Sequence, residues 1–510
     1  MQCFLTLFPS KYAIKEGKDS DVFSGEIMTK FYLSIFAAFA LIFSSCSKSE
    51  HRVVLNEEEE LIRLQTELAE RGEIKIVDES GVAISDAEVL IGTSEGVPFP
   101  NNLVKTNSKG NFVVPTLWTQ TLPVTIFKDG YVKTSYLHQK PQGQIFEVKR
   151  KKTIIRHEVK GSITGFGNLP NDGFIDFGLA ITSFNNVSAL NFDIAQMISE
   201  EHDTISVMGQ KLDIPTNIFV PKQKESYGII PLTVEKAFYR LFYDFVGTYS
   251  IQASLGRFDF KKVSKKIQDG LSYFEVVNDF QFTSIGTKAL LVDNQNVKFD
   301  IAANIKKLTP KIDFGLKAPS TGMLFAVSMY EHNGNLIAND IKLREGNLPQ
   351  KLALPEDISE GTVLLVHADK VQVTKEIAAL SPSMSTALVP SLQIDKGVLL
   401  DRIDPPTMTA EGIKLNKPNL KANLKGYATY AALSDTSRED FKRFSLERAD
   451  VSWEIYSPGW IDHIDLPEVL SVRSNQRWEI VFYGVDSNKF FNGPRTLNQA
   501  THAVHNAINF

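Results

Sequence analysis

From Gly72 onward the apolar residues of this chain recur at every second position rather than at helical spacing. Alternation of that kind puts one face of a strand against a core and the other toward water, so it commits the chain to sheets. Ile74-Lys75-Ile76-Val77 leads into the turn Asp78-Glu79-Ser80-Gly81, and Val124-Thr125-Ile126-Phe127 follows later. The pattern returns at Phe174–Ile181, Ile229–Leu232, Ala237–Phe242, Ala289–Val292, Leu324–Tyr330, Gly361–Ala368, Ala449–Tyr456 and Trp478–Tyr483. Pro, Gly, Asn and Asp clusters separate these runs, as turns require. The chain has 510 residues and two cysteines, Cys3 and Cys46. Nothing beyond residue 46 can form a disulfide or a cysteine-ligated zinc site, so the sheets must stand on apolar burial and hydrogen bonds. The expected fold class is mainly β, with several β-sandwich-like domains in series.

The N-terminal region has a different grammar. Met28-Thr29-Lys30 is followed by an apolar run, Phe31–Phe43, interrupted by Ser34, and then by Ser44-Ser45-Cys46. At ~1.5 Å per residue such a helix falls well short of a ~30 Å hydrocarbon core. It suits the h-region of a secretory signal instead. The segment resembles the signal peptide of a bacterial lipoprotein. The resemblance implies cleavage after Ser45, a lipid (palmitate-type acylation included) on Cys46, and attachment to a membrane through that lipid. Two or more acyl chains, at ~0.8 kcal/mol per buried CH₂, make a stable anchor. Ser47 rather than Asp after the cysteine implies the outer membrane. Phe43 departs from the family pattern, which prefers an aliphatic residue there. Residues 1–27 carry Lys11, Lys15 and Lys18 against Glu16, Asp19, Asp21 and Glu26. A secretory n-region is positive, so the expected start is Met28, the alternative being a long leader.

Residues 46–71 read as a tether. Asn56 and Glu57–Glu60 precede Leu61, Ile62, Leu64 and Leu68, a cap and acidic first turn ahead of a short amphipathic helix. It is either a docking helix or a solvated stalk.

Residues 72–150 resemble the carboxypeptidase-regulatory-like family of transthyretin-type β-sandwiches. Gly81, Ala87, Val89, Thr106, Gly110, Phe112, Gly130 and Tyr131 occupy the family's motif places. The resemblance implies a spacer or accessory module and carries no catalytic residues. Gly110 and Gly130 are expected at φ > 0, with Phe112 and Val89 buried. A long insertion occupies Gly92–Val104.

The remaining chain divides at Lys149–Lys152 into β-rich 151–287, a sandwich-like 288–400, and a C-terminal β-rich 401–510. Short helices are expected at Phe192–Ile198, Phe260–Ser272 and Arg438–Phe444. In the second, Lys261, Lys262, Lys265 and Lys266 make a basic face, either solvated or set against an acidic partner. His332-Asn333-Gly334-Asn335 signals a hairpin.

Chemistry is sparse. There is no G-x-S-x-G elbow, P-loop, H-E-x-x-H or EF-hand loop, and Gly165-Phe166-Gly167 opens no helix. A formal net charge of −5 argues against nucleic acid. His502 and His505 would share a helix face. Asp462-His463-Ile464-Asp465 and the set Asp293, Asn294, Asn296 and Asp300 offer oxygen or nitrogen ligands without a recognisable spacing. No metal and no cofactor is expected. Tyr427, Tyr430, Trp453, Tyr456, Trp460, Trp478 and Tyr483 gather in the last hundred residues. Of these, Trp453, Tyr456, Trp460, Trp478 and Tyr483 are the candidate ligand face for a protein or glycan, against the plainer reading of core aromatics. The expectation is a non-enzymatic, lipid-anchored envelope protein, on the periplasmic or surface side, acting as a spacer or binding module. The alternative is an envelope hydrolase whose site assembles only in the fold.

Overall fold

The computed structural model describes residues 72–509, except 152–156, 168–173, 193–198, 200, 208–209, 228–229, 235, 244–245, 270, 272, 294–296, 318, 345–349, 373–377, 410–411, 422, 436–449 and 466–475. The signal-like segment, Cys46, the 46–71 tether, the expected helix at Arg438–Phe444 and Asn294 and Asn296 lie outside the described residues.

The described chain is mainly β, as alternation requires. The first seven strands are β1 (Glu73–Asp78), β2 (Glu88–Ile91), β3 (Leu103–Lys105), β4 (Asn111–Val113), β5 (Leu122–Phe127), β6 (Lys133–Gln139) and β7 (Gln144–Val148). They split between two sheets. One is three-stranded, in the order β4-β1-β7, with β4 antiparallel and β7 parallel to β1. The other contains β3, β2, β5 and β6 and continues into the rest of the molecule. Ile74, Ile76, Phe112, Phe146 and Val148 from the first sheet meet Val89, Ile91, Val124 and Ile126 from the second in one buried cluster. Gly110 (φ 75°) and Gly130 (φ 82°) take the left-handed conformations their turns require. At Gly110 a Cβ would also lie 2.7 Å from the Ile76 carbonyl oxygen.

The continuation is a twelve-stranded sheet. Beyond β6 its order is Asp450–Pro458, Lys425–Asp435, Gln476–Val485, His502–Asn509, Ala378–Pro390, Thr362–Gln372, Met323–His332 and Asn335–Leu343. It therefore draws strands from 72–150, 288–400 and 401–510. The join between the N- and C-terminal parts is the parallel pairing of β6 with Asp450–Pro458, which sets Lys133 opposite Trp453 and Tyr136 opposite Tyr456.

Both faces of this sheet are covered. One packs on a six-stranded sheet that includes Phe174–Thr182 and Gly247–Asp259, whose Phe177, Leu179 and Ile181 share one buried cluster with Phe325 and Val327. The other lies under Leu400, Ile403, Ile413, Leu415 and Ile464, which enclose Trp453, Trp478 and Phe482. The six-stranded sheet turns its second face, with Ala180, Ile251 and Ala253, to Val159 and Tyr239 of a further small sheet. The turn at Asn333-Gly334 has φ of 51° and 74°, the primed geometry that joins Met323–His332 to Asn335–Leu343.

Two helix expectations shift. The helix expected at Phe192–Ile198 is Asn186–Asn191, with Asn185 as a capping-box residue and Phe192 as its left-handed C-cap; 193–198 lie outside the described residues. The capping box sits where Asn185 and Ser188 are three apart, a signal overlooked in favour of the apolar residues that follow. The second helix is Phe260–Gln268, followed by a 3₁₀ segment, Tyr273–Asp279. Lys262 and Lys266 pair with Asp279, at 2.8 and 2.6 Å, while Lys261 and Lys265 are exposed. Half of the expected basic face is thus neutralised by one buried carboxylate.

Candidate functional site: the junction of the first and last strands

A cluster of ionisable side chains surrounds the pairing of β6 with Asp450–Pro458. Strand alternation places Glu454 and Tyr456 on the same side, and Glu454 is only 3% exposed. Its carboxylate accepts hydrogen bonds from Lys149 Nζ (2.8 Å), Tyr430 Oη (2.9 Å) and Tyr456 Oη (3.0 Å). The Tyr136 ring stacks on Tyr456 at 5.5 Å and lies 4.6 Å from Phe146, and Tyr430 lies 5.2 Å from Tyr456. The Tyr136 hydroxyl donates to the Glu147 carbonyl oxygen and accepts from the Glu147 amide at 3.2 Å.

The cluster continues toward the end of β1. Arg495, from the 3₁₀ segment Pro494–Gln499, donates to the Glu147 carboxylate at 2.5 Å. Arg150 donates through Nε to the buried Asp78 carboxylate at 3.1 Å and forms an ion pair with it. Asp78 also accepts from the amides of Ser80 and Val82, which closes the first turn. Tyr427 donates to the Thr496 carbonyl oxygen at 2.6 Å, and Phe491 packs edge-on against its ring.

Burial dominates the electrostatics. It pushes the Glu147 carboxyl above its usual range, against the pull of Arg495. Burial likewise raises Glu79, and it drives the Tyr136 and Tyr456 hydroxyls well above 10. Both tyrosines are therefore neutral donors at any physiological pH. A carboxylate that already accepts three hydrogen bonds is held in place rather than free to attack or abstract. What the arrangement does chemically is fasten: Glu147 of β7 is bonded to Arg495, and Lys149 just after β7 to Glu454, each partner some three hundred residues further along the chain.

The candidate ligand face is placed differently from the sequence expectation. Trp453, Tyr456, Trp478 and Tyr483 are 1–2% exposed and divide between opposite faces of the large sheet. Tyr456 and Tyr483 lie in the core shared with Tyr136, while Trp453 and Trp478 lie 5.8 Å apart beneath the opposite cover. Their polar atoms are used internally: Trp453 Nε1 donates to Ser135 Oγ at 2.9 Å and Tyr483 Oη to Asn191 Oδ1 at 2.8 Å. Trp460 is partly buried, lies against Gly426 and donates to the Tyr483 carbonyl oxygen at 2.6 Å. Tyr427 is buried as well, and Tyr430 half-buried. These five residues are core and cover, not an exposed stacking platform.

His502 and His505 sit on a strand, not a helix, so a spacing of three turns them to opposite faces. His502 pairs with Ala387, whereas His505 reaches the Leu190 carbonyl oxygen at 3.2 Å. The partly buried His463 pairs with the exposed Asp465 at 3.2 Å, and Asp462 pairs with Lys417 at 3.5 Å. Asp300 accepts from the Ser162 amide and hydroxyl at 2.8 Å each. Among the described residues, no group of three or more His, Cys, Asp or Glu is placed to hold a metal ion. No helix among them is long and apolar enough to cross a membrane.

Glu454, Glu147 and Arg495 escaped the sequence reading. The one available signal was Glu454 itself, a charge amid an apolar strand between Trp453 and Tyr456. Lys149 and Arg150 were visible only as a junction.

No family model matches the chain, and no curated protein does. Among solved structures, the Bacillus anthracis TIE protein shares 11% identity over 59% of this chain, with a TM-score of 0.14; the chain covers 45% of that protein's length. BcpA, the major pilin subunit of Bacillus cereus, shares 11% identity over 61% of this chain and 91% of its own, with a TM-score of 0.14. A streptococcal ancillary pilin shares 10% identity over 60% of this chain and 94% of its own, with a TM-score of 0.12. Scores so low carry no likeness of architecture, and nothing about function follows from them.

Proposed function

We propose that this chain is a lipid-anchored protein of the bacterial cell envelope, a non-enzymatic module that serves as a spacer or presents a binding surface to a protein or glycan. The observation that carries the reading is the order of residues 28–46: a lysine, a short apolar run, small residues and a cysteine. Supporting the spacer role, the buried ionisable groups at the junction are engaged in holding distant segments together. A spacer must transmit position, and cross-links of this kind resist hinge motion between the N-terminal strands and the rest.

Replacing Cys46 with Ser tests the anchor. The native chain is expected in the membrane fraction after a high-salt wash, on the outer membrane by density, and the variant in the soluble fraction. A variant that remains membrane-bound after the wash would sink the lipid-anchor reading.

A further inference from the structure

The small sheet behind the six-stranded one carries its cations in a row. Its strands lie in the order Tyr239–Tyr243, His157–Gly161 and Val297–Lys298. Val159, Tyr239, Tyr243 and Phe299 belong to the buried cluster on its inner side. Alternation therefore turns Arg240, Lys160 and Lys298 outward. The register sets Lys160 opposite Arg240 on one side and opposite Lys298 on the other. With strands about 4.8 Å apart, the row spans about 10 Å. Like charges facing one another across a sheet destabilise it.

Carboxylates relieve only part of this repulsion. Arg240 pairs with Glu158 at 3.1 Å and with Asp203. Lys298, 82% exposed, lies 4.0 Å from Asp300. Lys160 has no carboxylate partner among the described residues. Its Nζ lies 5.6 Å from the centre of the Phe238 ring, and Lys236 Nζ lies 4.9 Å from the same ring. Both lysines and Phe238 are exposed. An aromatic face orders an ammonium group without neutralising it. The fold thus positions positive charge here and leaves it uncompensated, on a chain whose formal net charge is −5.

We propose that the outer face of this sheet binds an acidic polysaccharide, a polymer with a carboxylate on each sugar, with Lys160 at the centre of the contact. This rests on the binding-module reading above and names its partner. Cations spread over about 10 Å of open sheet suit charges spaced along a chain. A single phosphate would need donors that converge on one point. The partly exposed Glu158 and Asp203 and the exposed Asp300 lie among the cations. They can accept hydrogen bonds from sugar hydroxyls, whereas they repel the side chains of an acidic polypeptide. One ring flanked by two ammonium groups is also not the broad apolar face that lies in a membrane interface.

Affinity electrophoresis of the full Cys46→Ser chain, in gels with and without polygalacturonate, tests this. The expected result is retardation by polygalacturonate, weakened by added salt, and none by neutral dextran. Lys160→Glu is expected to weaken binding by about tenfold or more, and Lys298→Glu to weaken it as well. Lys265→Glu, the same charge change at an exposed helix lysine, should leave it unchanged. Thermal melts separate lost binding from lost folding, and Lys160→Gln, which removes the charge without reversing it, serves where the reversal unfolds the chain. Absence of retardation would overturn the proposal, as would retardation insensitive to Lys160 and Lys298. Equal retention by polyglutamate or single-stranded DNA would reveal unselective anion exchange and overturn it too. So would binding confined to vesicles of phosphatidylethanolamine and phosphatidylglycerol. Fractionation reads the lipid anchor separately: a native chain found with the membrane whose Cys46→Ser form ignores polygalacturonate loses this proposal and keeps the anchor.

Discussion

Acid should loosen this fold through His505, and the size of the effect can be worked out in advance. His505 is buried between the large sheet and the helix Asn186–Asn191, with Nε2 3.2 Å from the Leu190 carbonyl oxygen. A carbonyl only accepts, so Nε2 carries the hydrogen, and it is burial that favours the neutral ring. The same oxygen accepts from Thr386 Oγ1 at 2.7 Å, which ties the helix end to the sheet. Burial pushes the His505 pKa down from 6.5 to about 4. In that interval the unfolded chain binds the proton and the folded chain does not, so stability rises with pH. The contribution is complete above 6.5, declines as pH falls, and is gone below 4. Its full size is about 3 kcal/mol, of which about 2 kcal/mol is lost by pH 5. His502, lowered by burial, acts in the same direction, while Glu147 and Asp340, raised by burial, act oppositely and gain stability in acid. The difference between the native chain and His505→Gln isolates the one group, because glutamine can still donate to Leu190 and does not titrate. Urea unfolding at pH 7.5 and 5.0, followed by the fluorescence of the chain's four tryptophans, reads it. The native chain should lose about 2 kcal/mol more than the variant between the two pH values. Equal losses would refute the reasoning and place His505 in contact with water.

Phe112→Ala should cost about 3–5 kcal/mol, since the ring lies in the core between the two N-terminal sheets; a thermal melt that leaves its transition unmoved would mean the β4 register is misjudged. Glu454→Ala removes the acceptor of three hydrogen bonds. With Lys149 partly solvated, the expected loss is about 2–4 kcal/mol, and Glu454→Gln, which keeps an oxygen in place, should cost less. Denaturation midpoints of the two variants check the order, and equal effects would show that the carboxylate charge, not its acceptor geometry, matters.

Alternation located most strands because a period of two is set by each segment alone. Phe174–Thr182, Met323–His332 and Gln476–Val485 each contain the run expected there. Which strands pair is set by segments far apart, and that was not legible. Nothing in Lys133–Gln139 announces that its neighbour is Asp450–Pro458, or that the two run parallel. The histidine pair failed for a related reason: the same spacing of three means one face on a helix and two on a strand.

The aromatic residues of the last hundred positions show how burial on both sides of a sheet is written. Arg477-Trp478-Glu479-Ile480-Val481-Phe482-Tyr483-Gly484-Val485 is nearly continuous in apolar character, and every one of these residues is buried. A surface used to bind a ligand keeps one side against the core and the other wet, which demands alternation with polar residues. This strand has none to spare. The two charges in it, Arg477 and Glu479, are buried too, and with Glu454 they belong to the interior. They are therefore interior residues and not a surface open to a ligand. Alternation with one wet side is intact instead in β1 and β4, where Ile74, Ile76 and Phe112 turn inward while Glu73, Lys75 and Val113 remain within reach of solvent.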